Sequence, residues 1–363
     1  MASFRRCAFW AMIAIGMLAP VAAATAAVAV IQPPDPPPVA IETSLSTDKE
    51  NVPQCALDGK DDTWFRSDRA PKAEDTFTLV FAPAITIDKV EVLTGKPDGQ
   101  DAIGAAVLEM STDGKAFTAA GKFAAGTVKA SSGGKEAKAL RIRFTADGVG
   151  PIAIREIALG AKPEVPVFKY PIQVDLDVSQ TPDMKEWAEK AQLLIAKWYG
   201  TLGDVLVGGA YAPPRRIALQ FEKSSKGIAA AAGAKIFVKD GWFKDHPDDV
   251  GALLHEAVHV VQSYRGGVPG WLTEGIADYT RFWVYEPQMR QARLDPNRIK
   301  YTDSYRITGA FLAWIVRNKD KDFAKKLNVA CHNHQYKDEL WKEYTGKDLD
   351  TLFDEFKTSL AAK

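Results

Sequence analysis

Between Ile41 and Ala161 apolar and polar residues alternate in short runs: TFTLVF (76–81), IDKVEVLT (87–94), AVLEMS (106–111), LRIRFT (140–145) and IAIREIAL (152–159). Alternation at period two sends one row of side chains to a core and the other to solvent, which predicts strands. Turn residues separate the runs at Pro97-Asp98-Gly99, Asp113-Gly114, Gly133-Gly134 and Asp147-Gly148. Several short strands joined by glycine turns predict an all-β sandwich. Beyond Tyr170 the period changes. DMKEWAEKAQLLIAKWYGTL (183–202) carries Trp187, Ala191, Leu194, Ile195 and Trp198 on one helix face. DVGALLHEAVHVVQSYRG (249–266) repeats the theme with Val250, Leu253, Leu254, Ala257, Val258 and Val261. Pro247 suits the first turn of that helix and Gly266 its end. RRIALQFE (215–222) and AKIFVKD (234–240) read as strands, so a small sheet precedes a mostly helical remainder.

Proline marks the joints. IQPPDPPPVA (31–40) reads as an extended linker, and KPEVPVFKYP (162–171) as a second one. The division that follows is a leader over 1–26, a linker over 27–40, a β-sandwich over 41–161, a linker over 162–172, and an α+β domain over 173–363. A chain of 363 residues has room for two such cores. Lysine plus arginine and aspartate plus glutamate balance at 46 each, which argues against a polybasic nucleic-acid surface.

The leader, MASFRRCAFWAMIAIGMLAPVAAATAAVAV, has Arg5 and Arg6, an apolar run through Leu18, then small residues. That is the layout of a secretory signal, with cleavage near Ala24 or Ala26. RRCAFW is a poor twin-arginine signal, and Pro20 interrupts the stretch that an uncleaved anchor would need. The expectation is export to the periplasm or the medium, without stable membrane insertion. Cleavage removes Cys7 and leaves Cys55 and Cys331, which either form one bridge between the two domains or stand as separate buried thiols.

Chemistry concentrates in LLHEAVHVVQ (253–262). His255 and His259 are one helical turn apart, so both imidazoles project from one side and can reach one ion. Glu256 is rotated by about 100° from His255 and can approach a water held there without being a ligand. This is the H-E-x-x-H arrangement, in which the glutamate is the general base. A catalytic zinc takes a third protein ligand and keeps a position for water. GGVPGWLTEGIADYTRFW (266–283) starts a new helix near Trp271, and Glu274 and Asp278 share a face of it among Trp271, Ile276, Ala277 and Tyr279. Acids in so apolar a setting need a reason to be tolerated. Glu274 reads as the third ligand. Asp278 reads as the carboxylate that accepts the other ring N–H of a ligand histidine, His255. Of the remaining histidines, His246 precedes Pro247 and reads as a cap or surface residue. CHNHQY (331–336) reads as a turn, with a metal site through Cys331, His332 and His334 as the lesser alternative.

HEAVHVVQ followed by WLTEGIADYTR resembles the plant and bacterial basic secretory protein family of zincin-type metallopeptidases. The likeness runs from about Tyr170 to the C-terminus and includes SYRITGAFLAWI (304–315) and YKDELWKEYTGKDLDTLFDEFK (336–357). It departs from the family in net charge, which is not basic, and in the added N-terminal β-domain. The resemblance implies zinc held by two histidines and a glutamate. It also implies a tyrosine beyond the second ligand helix that stabilises the oxyanion of the tetrahedral intermediate, with Tyr305 the candidate and Tyr301 the reserve; a tyrosine simply packed in its helix is the other reading. ALDGKDDTWFRSD (56–68), IDKVEVLTG (87–95) and VLEMSTDGKAFTAAGKF (107–123) resemble discoidin, or factor 5/8 type C, domains. That likeness implies a jelly-roll sandwich that binds glycans or cell surfaces, often with a structural calcium. Asp58, Asp61 and Thr63 offer oxygens for such a calcium, or else form a turn held by local Asx hydrogen bonds. Trp64 and Phe65 read as core.

The fold expected is therefore multidomain: an N-terminal all-β jelly-roll sandwich followed by a mostly α zincin-like metallopeptidase domain. Three functional classes follow. The first is an exported zinc peptidase acting on a protein or glycoprotein by metal-activated water, with Glu256 as base and the sandwich directing it to a glycan-bearing surface. The second is an idle peptidase fold retained in a glycan- or surface-binding protein. The third is a zinc hydrolase acting on something other than peptides. The intact set of His255, Glu256, His259 and Glu274 speaks against the idle reading, because loss of the base is the simplest route to inactivity.

Overall fold

The computed structural model describes residues 32–34, 37–289, 294–303 and 305–361, so the expected leader over 1–26 lies outside the described residues. The first part is β throughout: β1 (Val39–Thr43), β2 (Phe65–Arg66), β3 (Thr76–Thr94), β4 (Ala106–Ser111), β5 (Thr118–Lys122), β6 (Thr127–Phe144) and β7 (Ala153–Lys162). They pair antiparallel in the order β2-β7-β3-β6-β4-β5, with β1 added to β3. The runs expected as two strands, 76–81 and 87–94, are two halves of β3, joined through register shifts against β6. Both halves send buried side chains, Phe77, Leu79, Phe81, Ile87 and Val92, into one core. The strands thus make one continuous sheet rather than two separately bonded ones.

Gly133-Gly134 is not the turn its composition suggests. Both glycines have positive φ, 64° and 77°, and lie inside β6, where the partner register moves from Ser131 opposite Lys89 to Lys135 opposite Ile87. Glycine enters the left-handed region without a Cβ penalty, so it absorbs the irregularity of a bent strand. Asp113-Gly114 is the expected turn, with the Asp113 carboxylate accepting from the Lys115 and Ala116 amides. Phe65 is fully buried, as expected, and Trp64 partly so. Cys55 and Cys331 are both buried free thiols, which rules out the bridge. Burial pushes the two thiols up, to about 11 and about 12.

The second part has its own core and begins with β8 (Gln173–Asp177) and the long helix α1 (Lys185–Leu206), followed by β9 (Arg216–Glu222), β10 (Ala229–Ala232) and β11 (Lys235–Lys239). These strands form a sheet ordered β10-β11-β9-β8, parallel except for the edge strand β10. The helices α2 (Asp240–Asp245), α3 (Gly251–Gln262), α4 (Gly270–Tyr279), α5 (Tyr305–Asn318), α6 (Phe323–His332), α7 (Glu339–Thr345) and α8 (Leu349–Ala361) complete it, with α4 running into a π-helical stretch over Thr280–Tyr285. Two strands escape the sequence pattern: β10 is four alanines, and β8 is a five-residue strand beside the proline joint. None of the helices among the described residues is long and apolar enough to cross a membrane.

The helix expected from Pro247 to Gly266 is shorter at both ends. Pro247 lies in a turn before α3, and the helix stops at Gln262 because Ser263 adopts the left-handed conformation, φ 44° and ψ 38°. The Ser263 amide donates to His259 O and its hydroxyl to Val260 O, which satisfies two terminal carbonyls. His246 is the residue that ends α2, stacked on Trp242 at 3.9 Å.

Loop residues of the β part bind the edge of the second part. The Thr47 hydroxyl donates to Gln173 Oε1 at 2.6 Å, the Ile172 amide donates to Gln54 Oε1 at 2.6 Å, and the Arg216 guanidinium donates to Thr47 O at 3.3 Å. The two cores are therefore linked by polar bonds at the start of β8 and β9, away from α3.

α3 packs against α1, α4, α6, β10 and β11. α4 in turn lies close on α5, because Gly275 faces Thr308: a Cβ at Gly275 would stand 2.2 Å from Thr308 Cγ2 and 2.5 Å from Thr308 Cβ. In an open helix Gly→Ala stabilises by about 1 kcal/mol. Here the added methyl meets an atom that cannot move without its backbone. Gly275→Ala is expected to destabilise the fold by a net of about 1–2 kcal/mol in denaturant melts.

Candidate metal centre

Every residue of α3 is buried except three: His255, Glu256 and His259. Leu253, Leu254, Ala257, Val258, Val260 and Val261 have no exposed surface. The helix thus has a single narrow opening, and the spacing of one turn puts both imidazoles into it.

α4 brings Glu274 to the same place. Glu274 Oε2 stands 3.1 Å from His255 Nε2 and 3.2 Å from His259 Nε2, and the two Nε2 atoms are 3.1 Å apart. The imidazole planes meet at 83°, so the two rings point their nitrogens at a common point rather than stacking. Among the described residues this is the group of three able to hold a metal.

The other ring nitrogens fix the tautomers. His255 Nδ1–H donates to Asp278 Oδ1 at 2.8 Å, and Asp278 is only 5% exposed. His259 Nδ1–H donates to Gln262 Oε1 at 2.7 Å. With both protons on Nδ1, both Nε2 atoms present lone pairs, and the carboxylate oxygen between them is also an acceptor. Three acceptors in contact require a cation.

The donor set fits zinc. Tetrahedral ligand atoms about 2.0–2.1 Å from an ion stand about 3.3–3.4 Å apart, close to the triangle found here, and two imidazoles with one carboxylate leave the fourth position open. Without a metal, a proton takes that role. Burial opposes a charged His255, but the hydrogen bonds to Asp278 and Glu274 outweigh it and lift the imidazole to about 9. Burial likewise raises Glu274, and the close imidazoles of His255 and His259 outweigh it and hold the carboxyl down at about 2.

Glu256 is half-buried in the opening and enters no hydrogen bond or ion pair among the described residues. Tyr305, at the start of α5, sits at the rim, 53% exposed, with its ring 6.5 Å from that of His255. Tyr301 packs between Trp271 and Phe353 instead, at 5.0 and 5.5 Å. His332 and His334 do not gather with Cys331 around an ion site. His332 ends α6 and its Nδ1 bonds to Gln262 O at 3.0 Å, while His334 turns the chain at φ 57°.

In the β part, Asp58 is buried and accepts from the Thr63 hydroxyl at 2.8 and 2.9 Å and from the Lys60 amide at 3.1 Å, an Asx turn; Asp61 is exposed. Beside them lies a carboxylate of the run IAIREIAL, Glu156. Glu156 Oε2 is buried without a partner, and burial, reinforced by Asp58, pushes its carboxyl up to about 7.

Residues 212–356 match a family described as BSP, peptidase of plants and bacteria, a stretch that contains both ligand helices. A comparison with curated proteins finds no match. Among solved structures, the chain is similar to CBM32-1 from a family 31 glycoside hydrolase of Clostridium perfringens, at 20% identity and TM-score 0.30, over 33% of this chain and 92% of that one. It is similar to CpGH89CBM32-5 of Clostridium perfringens, solved with GalNAc-β-1,3-galactose, at 15% identity and TM-score 0.29, over 33% of this chain and 94% of that one. A third is the family 32 carbohydrate-binding module from NanJ of C. perfringens in complex with galactose, at 12% identity and TM-score 0.29, over 33% and 92%.

The family match and the cluster of His255, His259 and Glu274 together support a zinc metallopeptidase. Purified protein is expected to carry close to one zinc per chain by elemental analysis, and His255→Ala to carry almost none. Equal zinc in the two would remove His255 from the site.

Proposed function

We propose that this chain is an exported zinc peptidase in which the region from 173 onward hydrolyses peptide bonds and the region over 41–161 directs it to its target. The observation that carries the catalytic half is the one opening of α3, which holds three convergent acceptors and a carboxylate, Glu256, without a hydrogen bond or ion pair among the described residues. When bound, zinc supplies the Lewis acidity that makes water reactive near neutral pH. His255, His259 and Glu274 would hold it, and Asp278 keeps His255 in the tautomer that can. Glu256 takes a proton from the attacking water and gives it to the departing amide nitrogen. The Tyr305 phenol, exposed at the rim, donates to the oxygen that gains charge as the carbonyl becomes tetrahedral. Export is read from Arg5, Arg6 and the apolar run that follows them.

The intact base argues for a working enzyme over an idle fold. Glu256→Gln is expected to retain zinc and lose at least about 10³-fold in kcat/KM on peptide substrates, and Tyr305→Phe to lose about 10²-fold. A zinc-loaded Gln variant that cleaved as fast as the parent would sink the mechanism. Turnover of esters or non-peptide amides alone would move the reading to another hydrolase class.

The targeting half rests on the sequence likeness of 56–68, 87–95 and 107–123 to discoidin domains. The calcium proposed with it would be held by Asp58, Asp61 and Thr63. On a glycan array the full chain is expected to bind in calcium, and either chelation or Asp61→Asn to weaken binding and remove the calcium-dependent rise in melting temperature. A chain indifferent to calcium and to every glycan would remove this half.

A further inference from the structure

Gln262 is the last residue of α3, and it is 1% exposed. A glutamine at a helix end ordinarily keeps its amide in water, and burying one without partners is destabilising. Here the side chain folds back along the helix, its Oε1 2.7 Å from His259 Nδ1. Its Nε2 donates to Thr273 O at 2.9 Å. Thr273 immediately precedes Glu274. One amide therefore spans the two helices that carry the metal-binding cluster.

The direction of these bonds is forced. A backbone carbonyl only accepts, so the amide NH2 must face Thr273 and the amide oxygen must face His259. An oxygen there accepts only from a protonated Nδ1, which leaves Nε2 bare toward His255 and Glu274. The turn that carries Gln262 is held as well. Val261 O accepts from the Tyr211 hydroxyl at 2.9 Å and Gln262 O bonds His332 Nδ1 at 3.0 Å. Tyr211 and His332 stack on each other at 3.6 Å. His332 of CHNHQY thus has a place: it supports the end of the ligand helix.

We propose that Gln262 is the positioning residue of this site, which sets the Nδ1–H tautomer of His259 and ties that imidazole to the backbone beside Glu274. It is the neutral counterpart of Asp278 on His255. One carboxylate and one amide, rather than two carboxylates, leave Glu274 and Asp278 as the two negative groups of the cluster and its supports, matching a divalent ion. The proposal rests on the zinc reading for its purpose, but the tautomer it predicts does not need zinc.

The test compares the full-length parent with Gln262→Leu, which lacks both polar atoms, and Gln262→Glu, which keeps an acceptor for His259. Gln262→Met, unbranched like the parent, replaces the leucine variant if that one fails to fold by metal-free melting. Long-range ¹H–¹⁵N spectra of the metal-free proteins read the tautomer, and competition with a chelator reads zinc affinity. His259 is expected to carry its proton on Nδ1 in the parent and the Glu variant and on Nε2 in the Leu variant. Zinc affinity should fall about 10- to 100-fold in the Leu variant and less in the Glu variant, which keeps the acceptor for His259 but loses the donor to Thr273 O. A Leu variant with His259 still protonated on Nδ1 and zinc bound as tightly as in the parent would overturn the proposal. A tautomer that shifts from parent to Leu variant while the parent binds no zinc would uphold Gln262 and instead sink the zinc reading.

Discussion

The organising constraint is a helix with only one way out. α3 is enclosed by α1, α4, α6 and the strands β10 and β11, so its apolar residues meet protein on every side. Apart from the buried Gln262, the polar side chains of the helix occupy the gap, and the gap is three residues wide: His255, Glu256 and His259. That enclosure does two things at once. It excludes water from the flanks of the imidazoles, which strengthens every electrostatic contact they make, and it removes the rotamer freedom that would let the rings turn away. The close contact of Gly275 with Thr308 belongs to the same constraint, because it seats α4 against α5 while Glu274 reaches α3.

Within the gap the electrostatics follow from acceptors without donors. Asp278 and Gln262 each claim an Nδ1 proton, leaving two bare nitrogens and a carboxylate oxygen within 3.2 Å of one another. Without a metal a proton on His255 takes up this demand, which is why His255 holds one up to about 9 while Glu274 stays ionised down to about 2. A divalent ion relieves all three contacts. The site is thus poised for a cation by its supports as much as by its ligands. The β part shows the same kind of strain in smaller form, at Glu156 and Asp58.

The two cores meet through side chain and backbone hydrogen bonds around Thr47, Gln54, Gln173 and Arg216 rather than through a shared apolar face. A junction of this kind fixes where the β part attaches without drawing on the packing around α3. Chemistry and any surface attachment can then vary separately, since neither core needs residues of the other.

The amino-acid order alone determined the change from period two to helical period near Tyr170, because burial on one face imposes those periods whatever the partner is. It also determined the one-turn spacing of His255 and His259, a property of any helix. It could not mark Gly133-Gly134 as a bulge within β6, since glycine pairs serve turns and bulges alike, nor four alanines as the edge strand β10. Gln262 was invisible for a deeper reason. A glutamine after an apolar run reads as a solvated helix end, and only the arrival of Thr273 from α4 gives its amide a fixed direction. Glu156 carried no such signal either, because its raised carboxyl depends on the Asp58 turn that folds beside it. Local periodicity is written in the chain one residue after another. The direction of a hydrogen bond between segments exists only once the two have met.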